Sequence, residues 1–354
     1  MERVDRIDPV AYSLTRNHMD GSVTRLSPYI SRGVISTRQV FLHLRQKGYP
    51  FYKMEKLLQE LAWRDYFQRV AQANPALANK ALKQEQTGVV SAEMPVAIAE
   101  HSTGIQGIDQ AIEQLYQTGY MHNHARMYVA ALACNIAHTQ WQLPSKWMYY
   151  HLLDADFASN ACSWQWVAGC FSSKKYVADQ NNINKYCNTL QRASYLDIPY
   201  EELGKQPVPE ALVQRKAYSF NTPLPAMDLP AIDPSLPVFL YTPYHLDPLW
   251  RKQEKANRIL LLDPEHFRQF PMSSRSIEFI IALAREIDGM QIFSGTHREL
   301  RAHCGNVRFV SKEHPLFSHL TDVNDDRDWM FPDVKGYYPS FFSYWKKCIK
   351  GYPM

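Results

Sequence analysis

Long apolar runs are missing from this 354-residue chain, and none approaches the ~18 residues that a bilayer-crossing helix requires. The start, Met-Glu-Arg-Val-Asp-Arg, is too charged for the apolar stretch of a secretory signal. Cysteine is scarce: six residues (Cys134, Cys162, Cys170, Cys187, Cys304, Cys348) and no C-x-x-C pair. Reduced, buried thiols in a cytoplasmic protein are therefore expected. The four cysteines between 134 and 187 lack the close pairing usual for an iron–sulfur cluster, and no metal ligand set is expected. No repeat or low-complexity tract is present. Charge is nearly balanced, with 39 Lys+Arg against 35 Asp+Glu, which permits a polyanionic partner without demanding one. Membrane, secreted and collagenous classes are all disfavoured.

What is present is core-forming material. Apolar residues make 45% of the chain and aromatics 13%, at a length that suggests two domains. Residues 1–200 read as helical. Over 52–70, Leu57, Leu58, Leu61, Ala62, Tyr66 and Phe67 recur at the i, i+3/i+4 spacing of a core-facing helix. The pattern returns at 107–117, stopped by Gly119, and at 123–138, 146–157 and 161–170. Seven prolines between 207 and 237 mark 201–237 as an extended linker. Beyond it, apolar runs at 238–241, 258–262, 290–293 and 307–310 alternate with helical patterns at 274–287 and 296–304. That grammar predicts a small parallel sheet over 238–312, followed by an aromatic and acidic extension over 313–354.

Several clusters carry chemistry. Residues 21–29 are rich in hydroxyls around Arg25, a pattern suited to an anion but equally to a helix cap with a surface arginine. Glu60 and Arg64 are an i, i+4 pair, and Trp63 shares their helical face. His122 and His124, two apart, point to different faces of a helix, which argues against a shared metal. Asp154, Asp156 and Asn160 precede Trp164 and Trp166, which could equally be core tryptophans.

Taken together, TRLSPYISRG, QELAWRDYF, TGIQGIDQAIEQLYQTGYMHNHARM and LLDADFASNACSWQW resemble, in order and spacing, the flavin-binding domain of the photolyase/cryptochrome family. The resemblance covers about residues 10–187. It implies a mainly α fold, a helical FAD-binding domain followed by a small α/β parallel-sheet domain, and FAD as cofactor. By position it assigns Tyr12, Thr24, Arg25, Leu26 and Ser27 to the FAD phosphates, with Arg64 nearby. Arg126 and Asp154 fall beside the isoalloxazine, Asp156 at the ring edge and ribose, and Asn160 opposite flavin N5. Trp164 and Trp141 match an electron relay whose usual third tryptophan is replaced by Ile98; Trp147, Tyr149 or Tyr128 are the substitutes at hand. Arg16, Glu60, Trp63, Asn123 and Trp166 match the cavity for an extruded pyrimidine dimer. Leu57 and His124 depart from the family at frequent cavity positions.

Residues 257–300 are similar to the strand–helix–strand core of the family's antenna domain, which normally precedes the flavin domain. The order therefore suggests a circular permutation, and the antenna chromophore is unknown. The leading expectation is a light-driven DNA repair lyase. The alternatives are a cryptochrome-like blue-light photoreceptor with a signalling partner, and a nucleic-acid-binding flavoprotein without photochemistry. The first 70 residues carry 12 Lys+Arg against 7 Asp+Glu, an excess of 5 that suits phosphate contacts under each DNA-binding version.

Overall fold

The computed structural model describes residues 2–352. The chain gathers into two compact units that cut across the division expected at residue 200. The sheet unit holds the residues up to Asp5, Arg25–Ala73 and everything from Asn221 onward, and the helical unit holds Arg6–Thr24 and Asn74–Phe220. The proline-rich 201–237 stretch is shared between them, mostly irregular, with Arg215–Lys216 pairing antiparallel to Met94–Pro95.

In the sheet unit five strands run parallel: β1 (Val238–Tyr241), β2 (Asn257–Leu262), β3 (Met290–Ser294), β4 (Phe309–Lys312) and β5 (Val323–Asp325), in spatial order β3-β2-β1-β4-β5. The fourth strand lies two residues later than the 307–310 run suggested, and β5 carries too little apolar sequence to announce itself. Val238, Leu240, Ile259, Leu261, Phe293 and Phe309 form its core with Leu300 and Cys304, each fully buried Leu or Ile contributing roughly 1.5–3 kcal/mol. Asp263 ties two helix starts together, its carboxylate accepting from Glu265 N at 2.8 Å and His297 N at 3.0 Å.

The same unit contains the Phe51–Ala73 helix, longer at both ends than the 52–70 pattern. Its apolar side faces inward through Leu57, Leu58 and Ala62, while Tyr66 and Val70 are fully buried. The Ser27–Ser31 helix leads to Arg32, wholly buried, whose Nη1 donates to Pro243 O at 3.1 Å. Gly33 follows at φ +68°, and a Cβ there would lie 2.6 Å from Tyr244 O. Only glycine both adopts that conformation readily and allows the loop after β1 to approach so closely.

The helical unit is built from Gln106–Thr118, Asn123–Ala131, Gln142–His151, Phe157–Val167 and Gln180–Cys187. Gly119 at φ +71° ends the first, as expected. The 123–138 pattern is helical only to Ala131, then widens into a π-turn over Leu132–Ile136. The helix expected over 146–157 instead starts at Gln142 and stops at His151, because Asp156 starts the next one. Its Oδ1 accepts from Ser159 N at 2.7 Å, an N-cap that requires extended backbone at residue 156. Among the described residues no helix is long and apolar enough to cross a membrane, and all six cysteines are buried and unbridged.

Candidate functional site

In the helical unit the two later sequence motifs, 103–127 and 152–166, meet in an ion pair. Arg126, in the second turn of its helix, donates from Nη2 to both Asp154 oxygens at 2.8 and 3.1 Å, and from Nε to Met121 O at 2.9 Å. Asp154 is 6% exposed, so its charge depends on this partner. Asp156, also buried, spends one oxygen on its own helix cap. Asn160, one turn on, donates from Nδ2 to Ser145 O at 3.0 Å and Oγ at 2.8 Å, which leaves carbonyl Oδ1 as the presented atom.

The tryptophans of the same helix divide by burial. Trp164 is 2% exposed and Trp166 is 39% exposed, two residues apart on different faces. Between them Gln165 pins the helix, donating to Leu77 O and Lys80 O and accepting from Leu82 N. Trp141 is buried, and so is Trp147, whose Nε1 donates to Tyr116 Oη at 3.0 Å. Asn123 is exposed and Arg16 half-buried, its Nη1 donating to Ser13 O at 2.8 Å. Tyr12 lies on the Pro9–Thr15 helix, capped by Asp8, and Thr24 is half-buried. His122 caps the Asn123–Ala131 helix by accepting from His124 N at 3.2 Å. His124 packs edge-on against Tyr128, and burial pushes its pKa down to about 4. These histidines are packing and capping groups.

In the sheet unit Arg25 takes φ +50°, an uncommon left-handed conformation for a non-glycine residue. Leu26 is buried and Ser27 half-buried. Glu60 is exposed on the Phe51–Ala73 helix. Trp63, half-buried on the same helix, stacks on Phe341 with ring centroids 3.8 Å apart and planes 11° apart. One face of the proposed cavity indole is therefore occupied by the chain's own C-terminal aromatic.

Arg64 and Asp65 line an open cleft with Gly33, Tyr244, His245, Lys312, His314 and Arg327. The pocket lies off the carboxyl ends of β1 and β4, where the strand order reverses and α/β sheets usually bind ligands. Lys312 pairs with Asp247 at 2.5 Å, and Arg327 with Glu313 at 2.7 Å. Tyr244 stacks on His314 at 4.6 Å. His245 is buried with neither ring nitrogen bonded, and burial, then Lys312, holds its pKa well below the ordinary histidine value. No sequence spacing announced this site, because its residues come from several segments far apart along the chain. The acidic cluster of the C-terminal extension is scaffolding: Asp322 pairs with Arg301, Asp325 with Arg251, and Asp328 bonds Ser36.

Asp65 itself is fully enclosed, accepting from Thr37 Oγ1 at 3.1 Å and Met330 N at 3.0 Å. Burial raises its pKa, with the Met330 N–H, Arg64 and Thr37 opposing. The folded state thus binds this proton more tightly than the unfolded chain. That contribution is complete below the unfolded carboxylate range and is lost as pH rises through the folded pKa. Asp65→Asn, able to keep both partners, should therefore gain stability relative to wild type between pH 5 and pH 8. Urea midpoints at the two pH values measure this, and a difference that shrinks with rising pH contradicts it.

Over part of its length the chain is similar to known proteins. Residues 57–207 match the family model described as the FAD binding domain of DNA photolyase. The deoxyribodipyrimidine photo-lyase of Vibrio cholerae is 33% identical over 154 residues, 41% of this chain and 33% of that protein. The corresponding protein of Alkalihalophilus pseudofirmus is 30% identical over 148 residues, 41% of this chain and 31% of that one. Cryptochrome DASH of Danio rerio is 30% identical over 171 residues, 45% and 32% respectively. The chain spans about a third of the length of these relatives. Among solved structures, the archaeal photolyase from Sulfolobus tokodaii with two FAD molecules aligns at TM-score 0.46 and 26% identity, over 53% of this chain and 42% of that one. The matched segment is similar to the FAD binding domain of DNA photolyase, and FAD is the cofactor that such a domain implies.

The residues present fit that cofactor. Asn160 Oδ1 is an acceptor, the partner that the N5–H of a reduced flavin requires. Arg126 Nη1 carries none of the bonds that hold the guanidinium to Asp154 and Met121.

Proposed function

We propose that the chain is a FAD-dependent, light-driven DNA repair protein acting on pyrimidine dimers. When bound reduced and excited by blue light, FAD would lend the dimer an electron that returns to the flavin once the bonds have split. By resemblance, the phosphate-binding candidates are Tyr12 and Thr24 in the helical unit and Arg25, Leu26, Ser27 and Arg64 in the sheet unit. Asn160 and the Arg126–Asp154 pair orient the ring system, and Asp156 contacts the ring edge and ribose. Trp164 and Trp141 relay electrons through dry protein. By resemblance, the lesion-contacting candidates are Glu60 and Trp63 in the sheet unit and Arg16, Asn123 and Trp166 in the helical unit, with the Glu60 carboxylate accepting from a pyrimidine N–H. The observation that carries this reading is the division of the Phe157–Val167 helix. Asn160 and buried Trp164 serve the flavin, while Trp166 offers an exposed indole for stacking.

Reduced, flavin-loaded protein mixed with dimer-containing oligonucleotide should remove dimer in blue light and not in the dark. Glu60→Gln should slow the removal by on the order of 10- to 100-fold. A light response with no loss of dimer rejects repair and selects a second reading, a cryptochrome-like photoreceptor acting on a partner protein. One observation favours that reading: Phe341 already covers a face of Trp63.

The parallel sheet is, on this proposal, the counterpart of the family's antenna domain placed after the flavin segment. A second chromophore would take the pocket at the ends of β1 and β4. The absorption spectrum of purified protein reads both, as a flavin band and as an added near-UV band.

A further inference from the structure

We propose that the outer face of the C-terminal helix is a contact surface for the phosphate backbone of DNA, an inference that rests on the DNA-binding reading above. The helix runs from Phe341 to Cys348 and has two unlike sides. Phe341, Tyr344, Trp345 and Cys348 are buried. They pack on the Phe51–Ala73 helix, with Phe341 against Trp63 and Tyr66, Tyr344 against Tyr66, and Trp345 over Phe51. On the other side Phe342 is 70% exposed, and Lys346, Lys347 and Lys350 are all exposed. Phe342 and Lys346, at i and i+4, share one stripe of the helix, and exposed Lys350 follows in the turn just beyond it. Among the described residues none of these three lysines forms an ion pair. From Val334 to the end of the chain there are four lysines and no Asp or Glu.

Two lysines in a last helical turn are ordinary partners for the helix dipole. That explanation does not reach Lys350 beyond the helix, the exposed Phe342 between the cations, or the lack of any carboxylate. A membrane surface would need the helix's apolar side, which is already spent on the Phe51–Ala73 helix. Location decides for nucleic acid. The helix is anchored through Phe341 to Trp63, on the helix that also carries Glu60, so a duplex that brings a lesion to these two residues runs alongside the lysines.

The test titrates flavin-loaded, full-length protein with a dimer-containing duplex from 50 to 200 mM salt. The variants are Lys346→Gln/Lys347→Gln/Lys350→Gln and the corresponding triple Lys→Arg. Loss of two to three phosphate contacts should make the slope of log affinity against log salt shallower by about 2 to 3. The arginine variant should retain the wild-type slope. An unchanged slope in the glutamine variant, with wild type binding, overturns the surface while leaving the DNA reading intact. Absence of duplex binding by wild type overturns both. Capture of wild type, but not the glutamine variant, by phosphatidylserine vesicles together with equal DNA binding by the two would assign the lysines to a lipid surface instead.

Discussion

Phe341→Ala should lower the stability of the sheet unit by ~3–5 kcal/mol, the usual cost of deleting a buried aromatic. Phe341 is 2% exposed and meets Trp63, Tyr66 and Trp345, all within about 6 Å between ring centroids. The alanine would leave a cavity walled by the rigid Phe51–Ala73 helix, with little able to collapse into it. Chemical denaturation followed by tryptophan fluorescence measures the loss. The variant also separates the two functional readings. If Phe341 merely fills a core, dimer removal per folded molecule stays constant. If it competes with a stacked base for the Trp63 ring, removal per folded molecule rises. A change in stability below ~1 kcal/mol would show that the C-terminal helix is not held by this stack.

Arg126→Ala should cost about 3 kcal/mol or more, by a different route. The Asp154 carboxylate is 6% exposed, and the guanidinium supplies both of its short contacts. Removing the cation strands a buried charge, which is worse than removing the whole pair. Because Arg126 is itself partly exposed, water recovers some of that loss. The double change Arg126→Met/Asp154→Leu should therefore be more stable than Arg126→Ala, although neither should retain flavin as wild type does. Denaturation midpoints and the flavin-to-protein absorbance ratio together decide it. Equal stability of the single and double variants would remove the stranded-charge argument.

Many of the helices were legible because their signals are local. Gly119 ends a helix by its own conformational freedom, and apolar spacing within 52–70 marks a helix whatever surrounds it. Boundaries failed where a side chain competed with the pattern. Asp156, read only as a candidate cofactor contact, is also the N-cap that stops 146–157 from being continuous. The motifs around Asn160 and Trp164 pointed to the flavin, but spacing does not reveal that Ser145 orients the amide or that Trp166 turns outward. The pocket at His245 and the stack on Trp63 were not legible at all. Their partners come from separate segments far along the chain, and nothing in one segment encodes the other beyond apolar or charged character.

The Asp65–Met330 hydrogen bond joins residues 265 positions apart, and Ser36–Asp328 joins residues 292 apart. Both lie in the unit that Arg25–Ala73 shares with the residues after Asn221. During synthesis at ~5–20 residues per second, the Phe51–Ala73 helix leaves the ribosome tens of seconds before the strap that covers it. For that interval Trp63, Tyr66 and the Asp65 carboxyl have no partners from the C-terminal segment, while the helical unit between them can already fold. The nascent chain thus carries an exposed aromatic helix for longer than most of its length takes to be made. Chaperone demand should concentrate on that helix rather than on the parallel sheet.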